Sequence, residues 1–277
     1  MVLVTTVLGY ALALRSLEPL PLLFFTLLGT GLASGGAGAL NHYAERHVDA
    51  GMARTRHRPV VTGQIAPGMA LGVGLAMLVA AGVILVLQVN VLAAGLALAS
   101  ALLYVLVYTP LKRISWLNTS FGAIPGAIPP MIGWAAATGR LDMGAWVLFA
   151  ILFLWQHPHF YAIAWMFRED YAAGGFKMLP VVRPDGKDTF RHSLAAAMLL
   201  IPVSLWPTFV RISGWTYFLG ALLLGIWFLA ACVRWRMSES SEDARRVLRV
   251  SVMYFPALLL LILVDALIYS PDPGASP

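Results

Sequence analysis

Nine apolar runs divide the chain, at approximately 1–14, 19–41, 66–87, 91–109, 119–138, 144–165, 193–210, 214–233 and 250–269. A helical span of a bilayer needs about 20 such residues, so each full-length run reads as one transmembrane helix and the short first run as a partial one. With 60% hydrophobic and 12% charged residues, the chain is far too apolar for a soluble domain, in which about 25% of residues are charged. The expectation is an all-α polytopic membrane protein of about nine helices. It forms a single domain over 1–277, with a disordered tail at 270–277.

Lys and Arg number 19 against 13 Asp and Glu. In a membrane protein that excess speaks to topology, and no nucleic-acid partner is expected. With the N-terminus inside, the inner loops collect sixteen of the 19 basic residues, leaving only Arg15, Arg140 and Arg211 outside. This asymmetry predicts a cell-membrane protein whose long connections face the cytoplasm and whose C-terminus is outside. Cys232, the one cysteine, lies in an apolar run; that excludes a disulfide framework and a cysteine metal cluster. No charged n-region precedes the first apolar run, so no signal peptide is read there. The apolar start points to a short first helix or to further sequence upstream.

The densest polar stretch is NHYAERHVDAGMARTRHRPVVTG, from Asn41 to Gly63. Asn41, Glu45 and Asp49 stand four apart, so on a helix their oxygens line one face over roughly 12 Å. Arg46, Arg54, Arg56 and Arg58 follow, up to Pro59, which is expected to stop the helix. Carboxylates beside arginines suit a magnesium-bridged polyphosphate, with hard oxygens on the cation and guanidinium forks on the phosphate. An amphipathic loop whose charges face water would have the same composition.

A second block, Trp155 to Arg191, begins like the first within the inner end of an even-numbered span and carries Asp170 among its acids. The two blocks look like related halves facing one cavity, although no residue-level repeat joins them. Between them Tyr108, Lys112, Arg113 and Asn118 form a smaller basic inner loop. The next helix contains Pro125, Pro129 and Pro130 with Gly122, Gly126 and Gly133, so it must be kinked or locally unwound, and its freed backbone groups need partners. Gly31, Gly35, Gly36 and Gly38 read as a tight helix contact; no Gly-Lys-Ser/Thr follows to make a phosphate loop. Asp265, near the outer end of the last span, is costly against lipid and calls for a partner on a neighbouring helix.

Taken together, Asn41, Glu45, Asp49 and Asp170 are candidate magnesium ligands, and the arginines and lysines are candidate diphosphate clamps. If diphosphate is the leaving group of a lipid chain, these charges would stabilise it as the carbon–oxygen bond breaks, while the tail lies among the helices. A transporter of cations or phosphorylated lipids is a competing reading. It predicts polar residues in both halves of the membrane, whereas nearly all of them here lie on one side.

The string Asn41-x-x-x-Glu45-x-x-x-Asp49 resembles the first metal motif of the UbiA-type intramembrane prenyltransferases. The resemblance is closer to their protoheme IX farnesyltransferase (heme O synthase) branch. It is carried by Asp49-x-x-Met52-x-Arg54-Thr55-x-x-Arg58-Pro59, by Tyr108 to Arg113, by Gly122 to Trp134, and by Trp155-Gln156-x-Pro158-His159-Phe160 with Asp170-Tyr171 and Met178-Leu179-Pro180. The resemblance implies a UbiA-type helical bundle around a central cavity and Mg2+ as cofactor. It also implies transfer of a farnesyl group from farnesyl diphosphate to a vinyl group of heme b, with water added. Asn41, Glu45, Asp49, Lys112 and Asp170 would then be catalytic, the acids and Asn41 holding the metal. Arg54, Arg58, Arg113 and Asn118 would bind substrate with Gln156, His159, Tyr161 and Trp165; His159, or else His157, would meet the heme iron. Tyr161 and Trp165 would face the allylic cation. The lipid bilayer, and a heme A synthase or terminal-oxidase assembly protein, are the further partners it implies.

The sequence departs from the family pattern in three places. Quinone-type members carry several aspartates in the second motif, where this chain has only Glu169 and Asp170; that favours a porphyrin acceptor over a quinone precursor or chlorophyllide and leaves a second magnesium unsupported. Glu45 replaces a usual aspartate with a longer arm. The first span lacks the Lys-Pro-Arg-like entry that usually precedes it.

Overall fold

The computed structural model describes residues 1–268, and all their regular structure is helical. The tail expected at 270–277 lies outside the described residues. Among the described residues seven helices are long and apolar enough to cross a membrane, so the chain is an integral multi-pass membrane protein. They are α2 (Leu20–Asp49), α3 (Pro67–Gln88), α4 (Val91–Leu102) continued to Ile114, α8 (Met143–Met166), α11 (Lys187–Phe209), α12 (Trp215–Ser238) and α13 (Ser241–Ile268). The other two expected spans are helical but short or broken: α1 (Val2–Leu14), and α6 (Asn118–Ala127) followed by α7 (Pro129–Thr138). Short helices α5 (Thr109–Ile114), α9 (Arg168–Ala173) and α10 (Leu179–Val182) complete the chain.

The described chain divides into two compact units: Met1–Leu141 with Phe167–Val182, and Asp142–Met166 with the described residues from Arg183 onward. In the first unit small residues let backbones touch. A Cβ on Gly133 would lie 1.9 Å from Thr6 O, and one on Gly9 1.9 Å from Pro130 O, so α1 and α7 cross at bare backbone. Gly36 of α2 meets Gly74 O of α3 in the same way, at 2.8 Å from a would-be Cβ. Without a hydrophobic drive between helices in lipid, such close approach is what holds them together. Of the glycine run before Asn41, Gly35 and Gly36 make the expected tight contact, while Gly38 faces open space.

The proline-rich span breaks at Ile128, where α6 gives way to α7. Pro129 has no N–H to offer the carbonyl four residues back, and Ser100 Oγ donates to that orphaned Pro125 O at 2.9 Å. Asn90 serves two helix ends: its Oδ1 accepts from Ala93 N at the start of α4, and its Nδ2 donates to Ala135 O near the end of α7, each at 2.8 Å.

Two helix ends differ from expectation. The helix predicted to run to Pro59 stops at Asp49, because the chain folds back on itself there: Thr55 Oγ1 donates to Asp49 O and Arg58 returns to the Asp49 side chain. Conversely, the span expected to end at residue 109 continues to Ile114. A π-helical turn, Leu103–Tyr108, precedes Pro110 and places it in the first turn of α5, where a missing N–H costs little.

In the second unit, Trp155 Nε1 of α8 donates to Ser251 O of α13 at 2.9 Å, and Tyr217 OH of α12 donates to Ser204 O of α11 at 2.7 Å. Asp265 has its partner: its carboxylate accepts from the backbone N–H of Gly214 and, at 3.0 Å, of Tyr217. It therefore caps the N-terminus of α12 from a neighbouring helix, filling a place no side chain of α12 fills. Cys232 is packed in the interior.

Candidate active site

At about 1.5 Å per residue the thirty residues of α2 extend about 45 Å, well beyond the roughly 30 Å hydrocarbon core of a bilayer. The last turns, with Asn41, Glu45 and Asp49, are the polar surplus. They are nevertheless inside the protein: Asn41 is 3%, Glu45 6% and Asp49 1% exposed. A loop whose charges merely face water would leave them open.

Each carboxylate is met by a cation from a different segment. Arg58 Nη1 lies 2.6 Å from Asp49 Oδ2 and 3.7 Å from Glu45 Oε2. Lys112 Nζ of α5 forms an ion pair with Glu45 Oε1 and sits over the rings of Tyr108 and Phe176, 4.9 and 5.3 Å from their centroids. Asn41 Nδ2 donates to Thr109 Oγ1 at 3.0 Å, and that hydroxyl donates to Tyr104 O at 2.9 Å. The π-helical turn thus leads directly into the residues that hold two of the three rungs on α2. Such turns are frequent at functional sites.

The segment 167–182 of the second block closes on this cluster within the first unit. Ala53 N donates to Asp170 Oδ1 at 2.9 Å, and Lys177 N to Lys112 O at 2.7 Å. Met52, fully buried, lies under Gly174, where a Cβ would come within 2.6 Å of its sulfur. Arg54 lies over the Tyr171 ring, 5.5 Å from its centroid. Burial raises the Tyr171 phenol above its ordinary pKa, with the Arg54 charge opposing and the Asp170 charge adding to the rise.

The expected phosphate clamps thus separate by position. Arg58 and Lys112 are on the carboxylates; Arg54 is engaged with Tyr171; Arg46 turns back on Tyr43 of its own helix. Arg56 and Arg113 are exposed. Asn118 is buried, its Nδ2 donating to Ser115 O and Lys177 O, so it braces the loop that carries Lys177. Thr109, Tyr108, Met52 and Tyr171 complete the cluster and were not among the expected site residues. Their signal was present, because Met52, the Tyr108–Arg113 string and Tyr171 all belong to the blocks that carry the family resemblance.

The residues from Gln156 to Trp165 lie in the second unit. His159 Nδ1 is 2.8 Å from Ser251 Oγ, and its ring stacks on Trp155 with centroids 5.0 Å apart. His157 Nδ1 is 2.7 Å from Phe153 O. Gln156 Nε2 donates to Leu152 O at 3.0 Å. Tyr161 is wholly buried between His157 and His192. Trp165 packs with Phe190 and Trp235, and Gly186 lies against it. Gly186 has φ +72°, and a Cβ there would fall within 2.8 Å of both Trp165 and Phe190, so only glycine fits.

A divalent ion suits the donors of the first unit. They are hard oxygens, and Asp170 Oδ2 is buried without a hydrogen-bond partner. Among the described residues no three His, Cys, Asp or Glu side chains form a ready cage. Magnesium needs none, since it bridges one or two carboxylates to substrate phosphates and keeps waters.

The chain matches the model of the UbiA prenyltransferase family over residues 2–259. It is 49% identical to the protoheme IX farnesyltransferase of Solibacter usitatus, covering 91% of this chain and 86% of that one. It is 47% identical to the protoheme IX farnesyltransferase of Salinibacter ruber, covering 88% and 86%. Among solved structures, one of digeranylgeranylglyceryl phosphate synthase superposes with TM-score 0.83 at 17% identity, covering 97% of this chain and 94% of that one. A UbiA homolog from Archaeoglobus fulgidus bound to DMAPP and Mg2+ superposes with TM-score 0.66 at 13% identity, covering 95% and 96%.

Proposed function

The chain belongs to the UbiA prenyltransferase family, and from that premise we propose that it transfers a farnesyl group from farnesyl diphosphate to a vinyl group of heme b. One observation carries the reading of the site: the buried ladder Asn41, Glu45, Asp49 on α2, met by Arg58 and Lys112. The choice of heme as acceptor is supported by relatives named protoheme IX farnesyltransferase at 49% and 47% identity over most of their length.

Asn41, Glu45, Asp49 and Asp170 are the oxygens among which magnesium would find its one or two protein carboxylates, and when bound it supplies positive charge to the diphosphate oxygens. The Mg2+ bound in the Archaeoglobus homolog supports magnesium as the ion. Arg58 and Lys112 would bind the diphosphate and stabilise the charge it gains as the bond to farnesyl C1 breaks and the electron pair leaves with it. The vinyl π electrons of heme then form the new bond to C1. Water adds to the resulting cation beside the porphyrin and loses a proton, which yields a hydroxyethylfarnesyl group. For Gln156, His159, Tyr161 and Trp165, in the second unit, the roles toward the porphyrin and the allylic cation rest on the family resemblance of their sequence block alone. The two units act as a single functional domain on this reading, because the family match runs through both.

The site is placed at the cytoplasmic face, with the N-terminus inside and the C-terminus outside, on the strength of the sixteen basic residues that fall to one side. The acceptor is tested by offering the purified protein farnesyl diphosphate with heme b or with a hydroxybenzoate. Prenylation of heme alone is expected; prenylation of the hydroxybenzoate alone would move the chain to another branch.

A further inference from the structure

Glu45, Asp49, Lys112 and Arg58 form a quartet in which two carboxylates are balanced by two cations, with 7%, 1%, 10% and 23% of their side chains exposed. Lys112 is further confined by the Tyr108 and Phe176 rings and by the backbone hydrogen bond from Lys177 N to Lys112 O. The carboxylates that would take a metal ion are therefore already neutralised, by the same two side chains that would take the diphosphate.

That arrangement has an electrostatic consequence. A divalent ion arriving alone must displace Lys112 and Arg58 and leave two cations uncompensated in a largely buried place. Separating a buried charge from its partner is strongly unfavourable. A diphosphate arriving alone would pull the cations away from Glu45 and Asp49 and strand two carboxylates. When both arrive, Glu45 and Asp49 would be free to hold the metal while Lys112 and Arg58 turn to the phosphate oxygens, so that no charge is left without a partner. We propose that this quartet makes the site selective for a divalent metal–diphosphate pair over either ion alone, with Lys112 and Arg58 as the residues that couple the two. The inference rests on the reading of the site given under Proposed function and adds the coupling to it.

The test measures binding of Mn2+ as a spectroscopic stand-in for magnesium, by its electron paramagnetic resonance signal, on purified protein in detergent with and without inorganic diphosphate. No turnover is involved. In the unaltered protein, diphosphate is expected to tighten Mn2+ binding at least about tenfold, a change of about 1.4 kcal/mol. In Lys112→Met, Mn2+ alone is expected to bind about tenfold tighter than in the unaltered protein, and the effect of diphosphate to shrink; Arg58→Gln should do the same, and Lys112→Arg should restore the coupling. Should either neutral variant fail to fold, the other still decides the matter. Mn2+ binding that is equally tight with and without diphosphate, and is lost in Asp49→Asn, would overturn the coupling while leaving the site in place. Absence of Mn2+ binding under both conditions would remove the site itself, and the coupling with it.

Discussion

Arg58 and Asp49, nine residues apart, meet at 2.6 Å and fold the chain back at the end of α2. Were α2 to continue to Pro59, they would be more than two turns apart along one rod. The pair therefore brings the arginine over the carboxylate ladder and ends the helix at the same time.

Asp49→Asn keeps the shape of that pair and removes its charge. Turnover should fall by about 100-fold or more, as when one group that stabilises developing charge is lost, while the protein stays folded. Steady-state rates together with a thermal melt check this, and near-normal turnover would take Asp49 out of the reaction.

Arg58→Ala leaves Asp49 buried without its cation and deprives the diphosphate of a donor. The apparent affinity for farnesyl diphosphate should weaken about tenfold or more, since a charge-assisted hydrogen bond contributes about 1.5–3 kcal/mol. Titration of the diphosphate substrate at fixed heme reads the effect; an unchanged curve would confine Arg58 to a structural role.

Asp170 has one oxygen on Ala53 N and the other buried without a hydrogen-bond partner. Asp170→Asn preserves the hydrogen bond and loses the charge, so it should raise the magnesium concentration needed for half-maximal rate by about tenfold. Asp170→Ala also frees the turn after α2 and should make residues 50–63 more open to limited proteolysis. Equal magnesium dependence in all three proteins would leave Asp170 as a brace for that turn.

The crossing of α1 and α7 is bare backbone at Gly133 and Gly9. Gly133→Val places a side chain where Thr6 O stands and should destabilise the fold by about 1–3 kcal/mol or prevent it, because backbone cannot step aside as a side chain can. Gly38→Ala, in open space on α2, should be neutral or stabilising by about 0.5–1 kcal/mol. Unfolding in detergent compares the two, and similar stability in both variants would refute the packing account.

Run length was enough to place the helices, since lipid thickness imposes it on any spanning segment. Four-residue spacing was enough to put Asn41, Glu45 and Asp49 on one face. What the runs did not carry was where polar helix ends stop, because those ends are decided by contacts distant in sequence. Arg58 turning back ends α2 early, and the π-helical turn before Pro110 lets the fourth span run on to Ile114. Nor could spacing choose among the arginines: that Arg58 rather than Arg46 or Arg56 reaches the carboxylates depends on the turns between residues 50 and 62. The burial of Lys112 against Glu45, across 67 positions, was equally invisible. The second block divides between the two units, with 155–166 and 183–191 in one and 167–182 in the other, which its continuous sequence does not suggest.

Incubating the purified protein with heme b, farnesyl diphosphate and magnesium, then measuring released diphosphate and the mass of the heme together, decides whether the chain joins these two substrates. One diphosphate is expected for each heme that has gained a farnesyl group and a water, and neither product when magnesium is chelated. Heme of unchanged mass, or diphosphate released without modified heme, would contradict the proposed transfer.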